Sequence, residues 1–96
     1  MEYCLILDKH RGVYCGVVDY DSFSKNPQNW ILVTEFRHCF SFSAGGCGVY
    51  GLAINPPDKT SKIGPVIPGV IITDVSKVMI VSKIAEEGLR SATWAK

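Results

Sequence analysis

Residues 37–51 read Arg-His-Cys-Phe-Ser-Phe-Ser-Ala-Gly-Gly-Cys-Gly-Val-Tyr-Gly. These are the residue types that grip a phosphorylated, ring-bearing molecule: a guanidinium, aromatic faces, and a glycine-rich turn whose backbone N–H groups can meet an anion. The stretch 37–42 alternates as a half-buried strand, which puts Phe40 and Phe42 on one face and Cys39 and Ser41 on the other. The candidate ligand-binding set is therefore Arg37, Phe40, Phe42, Gly46, Gly48, Tyr50 and Lys62. The same residues also suit an ordinary strand followed by a tight turn, in which glycine serves only the backbone.

Other chemistries find less support. Gly46 to Gly51 matches G-x-G-x-x-G after a predicted strand, and Asp74 lies where a ribose-binding acid would be sought. The context excludes a dinucleotide fold, because Pro56-Pro57 end any helix that begins in this turn, and the chain is too short for a doubly wound sheet. No serine or cysteine sits in a nucleophile elbow or beside a base. His38 and Cys39 are neighbours on a strand and point to opposite faces. Catalytic residues and cofactors are therefore expected to be none. Cys4, Cys15, Cys39 and Cys47 show no C-x-x-C spacing, and His10 and His38 complete no zinc pattern, so a metal is not expected either. Cys4, Cys15 and Cys39 lie in apolar runs, where a reduced cysteine packs as a small hydrophobe.

The positioning elements are mainly strands. Residues 3–7 and 13–20, separated by a polar turn ending in Gly12, read as a β-hairpin. Residues 21–28 carry Ser22, Ser24, Asn26 and Pro27 and read as a loop. Residues 29–36 form a third strand that runs into 37–42, as one bent strand or a hairpin. Residues 50–54 are a strand or one helical turn, and 55–62 are a loop. The Val- and Ile-rich run 65–81 becomes a regular strand near Val70, since Pro65 and Pro68 belong at a strand's start or edge. Ile72, Asp74 and Ser76 fall on one of its faces. Ser82 caps a closing helix with Glu86 and Glu87 in its first turns and Ile84, Ala85 and Leu89 as its packing stripe. Trp94 is expected to pack against the domain or a neighbouring subunit.

The fold class expected is mainly β (α+β): a small antiparallel sheet or barrel-like domain with a short C-terminal helix, spanning 1–96 as one unit. A chain of 96 residues with 47% hydrophobic and 10% aromatic content is an ordered globule with limited core. A formal net charge of +1 gives no basic face for a nucleic-acid polymer. No apolar run reaches the roughly 18 residues of a membrane helix. The first residues lack the pattern of a signal peptide, which predicts a cytoplasmic protein. Limited core and thin helical cover predict a homo-oligomer.

From Phe36 to Trp94 the chain resembles a family of small phage- and prophage-encoded proteins of largely unassigned activity. In that family an arginine-led aromatic strand precedes a glycine/alanine segment and a Leu-Ala pair. A lysine-containing loop, a strand with a Thr-acid pair and a helix with a late tryptophan follow. Arg37, Phe40 and Phe42, Leu52-Ala53, Pro57 with Lys62, Thr73-Asp74, Ala85 and Trp94 carry the resemblance. His38 stands where the family has a second arginine. The resemblance implies a viral accessory protein acting in the host cytoplasm. By analogy with small anti-defence proteins, it would sequester a nucleotide-derived immune signal, a cyclic ADP-ribose variant or a cyclic oligonucleotide, without catalysis. The alternatives are a protein-interaction module that inhibits a host defence protein directly, and a virion or assembly component.

Overall fold

The computed structural model describes residues 1–45 and 47–93; Gly46 and Trp94, both named above, lie outside the described residues. β1 (Glu2–Asp8) and β2 (Val13–Val18) form the expected antiparallel hairpin, in register from Glu2↔Val18 to Leu7↔Val13. Its turn is built by Asp8, whose Oδ1 accepts from the backbone N–H of His10 and Gly12 at 2.9 and 2.7 Å. β1 is buried on both faces, which explains its unbroken apolar run. Tyr3 and Leu5 enter one core cluster, and Cys4 and Ile6 enter another.

Residues 20–25 are not loop but a helix, α1 (Tyr20–Lys25). The Asp19 carboxylate caps it by accepting from Ser22 N–H, so the polar residues that read as turn formers instead serve an N-cap and a solvated helix surface. β3 (Trp30–Ser41) is a single bent strand. Its bend falls at Glu35, whose φ of 51° is left-handed, and there the register against β2 slips between Cys15 and Val17. Residues from Trp30 to Phe36 pair with β5 (Ile67–Thr73), those from Thr34 to His38 pair with β2, and Cys39 and Ser41 pair with the short β4 (Lys62–Ile63).

The run 65–81 is two strands, not one. β5 ends at Thr73, and Asp74 turns the chain at φ 55° into β6 (Val75–Ile80). β5 also begins earlier than expected, because Pro68 is tolerated in a strand paired only to β3. The sheet order is β4-β3-β2-β1-β6, with β5 beside β3. β5 and β6 thus lie at opposite sides of the path yet are joined by one residue, so the antiparallel sheet curls back on itself. Lys9 N–H to Asp74 O (2.9 Å) and Val75 N–H to Asn29 O (3.1 Å) tie that corner. Inside the curl sit Cys4, Ile6, Val18, Ile31, Val33, Phe36 and Ile72.

The opposite face carries Tyr3, Leu5, Cys15, Cys39 and Ile63, covered by Leu52 of α2 (Val49–Ile54) and by Ala85 and Leu89 of α3 (Lys83–Ser91). Residues 50–54 are therefore helical. Ser82 caps α3 as expected, accepting from Ala85 N–H, and its hydroxyl donates to Ile54 O, which joins the two helices. Ala85 and Leu89 are buried, but Ile84 points to solvent. The packing stripe is narrower than expected because α3 lies on one sheet face and leaves its far side wet.

Candidate functional site

Arg37 is turned inward, with 6% of its surface exposed. Its Nε donates to Gly64 O (2.7 Å), one terminal nitrogen to Leu89 O (2.7 Å) and Arg90 O (3.4 Å), and the other to Ile63 O (3.3 Å). It pins β3 to β4 and neutralises the last carbonyls of α3, where a cation is favoured. All three guanidinium nitrogens are engaged by backbone, so no edge is left to clasp a phosphate. The guanidinium expected to face a ligand is a buried tie.

The other candidates among the described residues do not converge around it. β3 ends at Ser41, so Phe42 leaves the strand alternation and packs against the cluster containing Cys39, whereas Phe40 is more than half exposed. The two phenylalanines do not share a face. Tyr50 lies on α2, where its hydroxyl and ring both meet Lys77 of β6. Lys62 is exposed on β4. Gly48 precedes α2 as its cap residue, and that six-residue helix is too short to present an anion site. Gly51 has a packing reason of its own: a Cβ there would strike Ala44 O.

Phe40 instead belongs to a ladder of rings. Phe36 and Tyr14 have centroids 5.4 Å apart, Tyr14 and His38 4.8 Å, and His38 and Phe40 3.9 Å. It climbs from the buried Phe36 to the surface. Loss of water around His38 lowers its pKa, opposed by the negative charge of Asp8, so the ring stacks as neutral imidazole at neutral pH. Burial raises the Tyr14 pKa to about 12, helped by its hydrogen bond to Asp8 Oδ2. Burial disfavours the Asp8 charge, but the bonds from Tyr14, Gly12 and His10 outweigh it and hold the carboxyl below the ordinary range.

Three cysteines, Cys4, Cys15 and Cys39, are buried and Cys47 is exposed; all four are free thiols. Cys39 donates to Cys15 Sγ across 3.9 Å and the Tyr3 hydroxyl donates at 3.3 Å. The hydrogen bond from Cys39 is the main reason the Cys15 pKa is lowered, and the same bond with burial raises that of Cys39. Among the described residues, no group of three His, Cys, Asp or Glu side chains is placed to hold a metal ion. No helix among them is long and apolar enough to cross a membrane.

A concavity lies elsewhere, between α1 and the first half of β3. It encloses about 220 Å³. Val17, Phe23, Trp30 and Leu32 form its apolar wall, while Asp19, Ser22, Asn26 and Gln28 supply carboxylate, hydroxyl and amide groups. Trp30 and Leu32 are 48% and 51% exposed. Their neighbours Ile31 and Val33 point into the curl, so strand alternation turns the indole outward beside the polar residues of the helix. Among the described residues lining the groove there is no lysine or arginine. Aromatic face plus amide edges is the chemistry that recognises a planar heterocycle. Sequence reasoning missed this site because 29–36 reads as one apolar strand and 21–28 as loop; a tryptophan at the head of the strand, just after two side-chain amides, was the available signal.

No curated protein and no solved structure matches the chain. Residues 1–89 match the family model described as Domain of unknown function (DUF6948), and the chain belongs to that family.

Proposed function

We propose that this chain is a non-catalytic capture protein whose groove between α1 and β3 takes the ring of a nucleotide-type small molecule. The observation that carries this reading is the half-exposed Trp30 beside Asn26 and Gln28 in a concavity of about 220 Å³, a stacking surface next to groups that read a heterocycle's edge. The resemblance to small phage proteins supplies the biological setting: sequestration, in the host cytoplasm, of a nucleotide-derived immune signal. No lysine or arginine side chain lines the groove among the described residues, so recognition in this reading rests on the base more than on the phosphates.

The test is titration of the purified protein with nucleosides, cyclic ADP-ribose variants and cyclic oligonucleotides, followed by heating to recover the ligand. Micromolar or tighter binding to one of them is expected, with intact ligand recovered and the parent nucleoside binding within about tenfold, as befits a site without phosphate contacts. Trp30→Ala should weaken binding roughly 10- to 100-fold, the worth of one stacked base, and leave the circular dichroism spectrum unchanged. No binding by any member of the panel overturns the reading, and recovery of a cleaved ligand makes the protein an enzyme. A stoichiometric host protein retained by the immobilised chain, with no response to any nucleotide, would move the assignment to direct protein inhibition.

A further inference from the structure

Cys15 and Cys39 meet inside the cluster covered by α2 and α3, and their surroundings are not those of an inert core thiol. Cys15 stands opposite Arg37 in the register of β2 and β3, so Cys39 lies two residues further along on the same face. The two sulfurs are 3.9 Å apart, and the Tyr3 hydroxyl donates to Cys15 Sγ at 3.3 Å. Burial, with the neighbouring Cys15, keeps that hydroxyl protonated and therefore a donor. The bond from Cys39 does most to lower the Cys15 pKa; burial opposes it, and Tyr3, Arg37 and Arg90 add to the lowering. A thiol with donors and cations around it is the kind that ionises and reacts. Cys4 is equally buried and gives the contrast. It sits in the other cluster, its thiol donates to Glu2 O at 3.8 Å, and burial raises its pKa to about 12. A small molecule also has a way toward the pair. Tyr3, Glu35, Arg37, Val66 and Arg90 line a cavity of about 100 Å³, ample for a molecule little larger than water. Arg90 lies 4.6 Å from the centre of the Tyr3 ring, bonded to Glu35 and Glu86, with its side chain 41% exposed.

We infer that Cys15 and Cys39 form a modification site for hydrogen peroxide, which converts the pair to an intramolecular disulfide. Cys15, as thiolate, attacks one peroxide oxygen. An S–O bond forms, the O–O bond breaks, and the departing hydroxide takes a proton and leaves as water. Cys39 then gives up its proton and its sulfur attacks Cys15 Sγ; the S–S bond forms, the S–O bond breaks, and a second water leaves. Two thiols lose two electrons, one peroxide gains them, and the two thiol protons end in the two waters. The sulfurs must close from 3.9 Å to about 2.05 Å. Diagonal neighbours on adjacent strands stand further apart than a relaxed disulfide prefers, so β2 and β3 are drawn together beside the register slip between Cys15 and Val17. A strained disulfide is readily reduced, and a small dithiol returns the pair to thiols. The reaction is stoichiometric and does not depend on the Trp30 groove.

The test is treatment of the folded full chain with hydrogen peroxide up to millimolar concentration, followed by intact mass and peptide mapping without reductant. A Cys47→Ser background is used, because Cys47 is exposed and would react on its own. The expected product is a chain lighter by two hydrogens with a Cys15–Cys39 cross-link, formed while Cys4 is still a free thiol and reversed by dithiothreitol. Cys39→Ser, which lacks the second thiol, should gain one oxygen at Cys15 and be labelled there by dimedone. Tyr3→Phe keeps the ring and removes the donor, and should slow oxidation roughly 2- to 10-fold, the worth of one hydrogen bond. No cross-link at millimolar peroxide overturns the inference. Oxidation of Cys4 as fast as that of the pair overturns it too, since equal rates at equally buried thiols place the reaction in the unfolded chain. Should Cys39→Ser or Tyr3→Phe fail to fold, the cross-link map and the Cys4 comparison decide alone.

Discussion

At the scale of the residue, Arg37 has the largest structural consequence. Replacement by methionine keeps most of the side-chain length but strands the carbonyls of Gly64, Ile63 and Leu89, which accept from it in the interior. A loss of about 3 kcal/mol or more is expected, since each buried group left unpaired costs about 1–3 kcal/mol, and urea unfolding will read it. Lysine should not rescue the variant, having no planar fork to reach three separate carbonyls. A folded Arg37→Met protein with wild-type stability would show that the carbonyls find other donors. His38 provides the second prediction. Its folded-state pKa lies below the ordinary histidine value because burial between Tyr14 and Phe40 disfavours the cation. The unfolded chain therefore takes up a proton before the folded one does, and stability present above about pH 6.5 declines as pH falls through the folded pKa. Unfolding midpoints at pH 7.5 and 5.5 will differ in that direction, and His38→Phe, which keeps a ring in the ladder, should reduce the difference.

At the scale of the element, α3 shows why a residue that weakens a helix can be required in it. Gly88 costs its helix about 1 kcal/mol relative to alanine. A Cβ at that position would strike Pro56 Cβ and lie 2.9 Å from Pro56 Cα and 3.1 Å from Pro57 Cδ, and the proline pair cannot give way as a flexible side chain would. Gly88→Ala is therefore expected to destabilise in spite of its better helix propensity, by about 1–3 kcal/mol for overpacking less the propensity gain. Thermal melting of the two proteins checks the sign; a raised melting temperature would mean that the 55–57 segment moves aside. The same prolines that end α2 thus also set how closely α3 may approach.

At the scale of the whole molecule, the curl is held where distant segments meet at Asp74. Its carboxylate accepts from Asn29 (3.1 Å) and pairs with His10 (3.2 Å), and its backbone carbonyl takes the N–H of Lys9. The Asn29 and His10 bonds hold the Asp74 pKa below the ordinary value, as the turn bonds do for Asp8 at the adjoining hairpin. A carboxyl with a lowered folded pKa stabilises above its unfolded pKa, near 4, and that contribution is lost as pH falls through the folded value. The urea midpoint should therefore drop as pH falls below about 4. Asp8→Asn combined with Asp74→Asn should flatten that drop while lowering the midpoint at pH 7. An unchanged acid slope in the double variant would assign acid unfolding to other groups.

What the sequence determined is local. The two-faced apolar run of β1, the polar turn to β2 and the serine cap of α3 are legible because period, turn chemistry and capping act over a few residues. Only the tertiary structure decided the rest. The charge that marked Arg37 as a ligand contact is the same charge that α3's last carbonyls, 52 residues away, draw into the core. Phe40 and Phe42 part company because β3 ends between them, and no alternation rule states where a ladder stops. The run 65–81 breaks at an aspartate with left-handed φ, which pays its strain through bonds to Asn29 and His10 that are invisible in its own neighbourhood. The Trp30 groove exists because α1 lies beside the outward face of a bent strand. Burial of a charge, termination of a strand and shaping of a groove each depend on partners far along the chain, and that is the information a local reading of residue types does not hold.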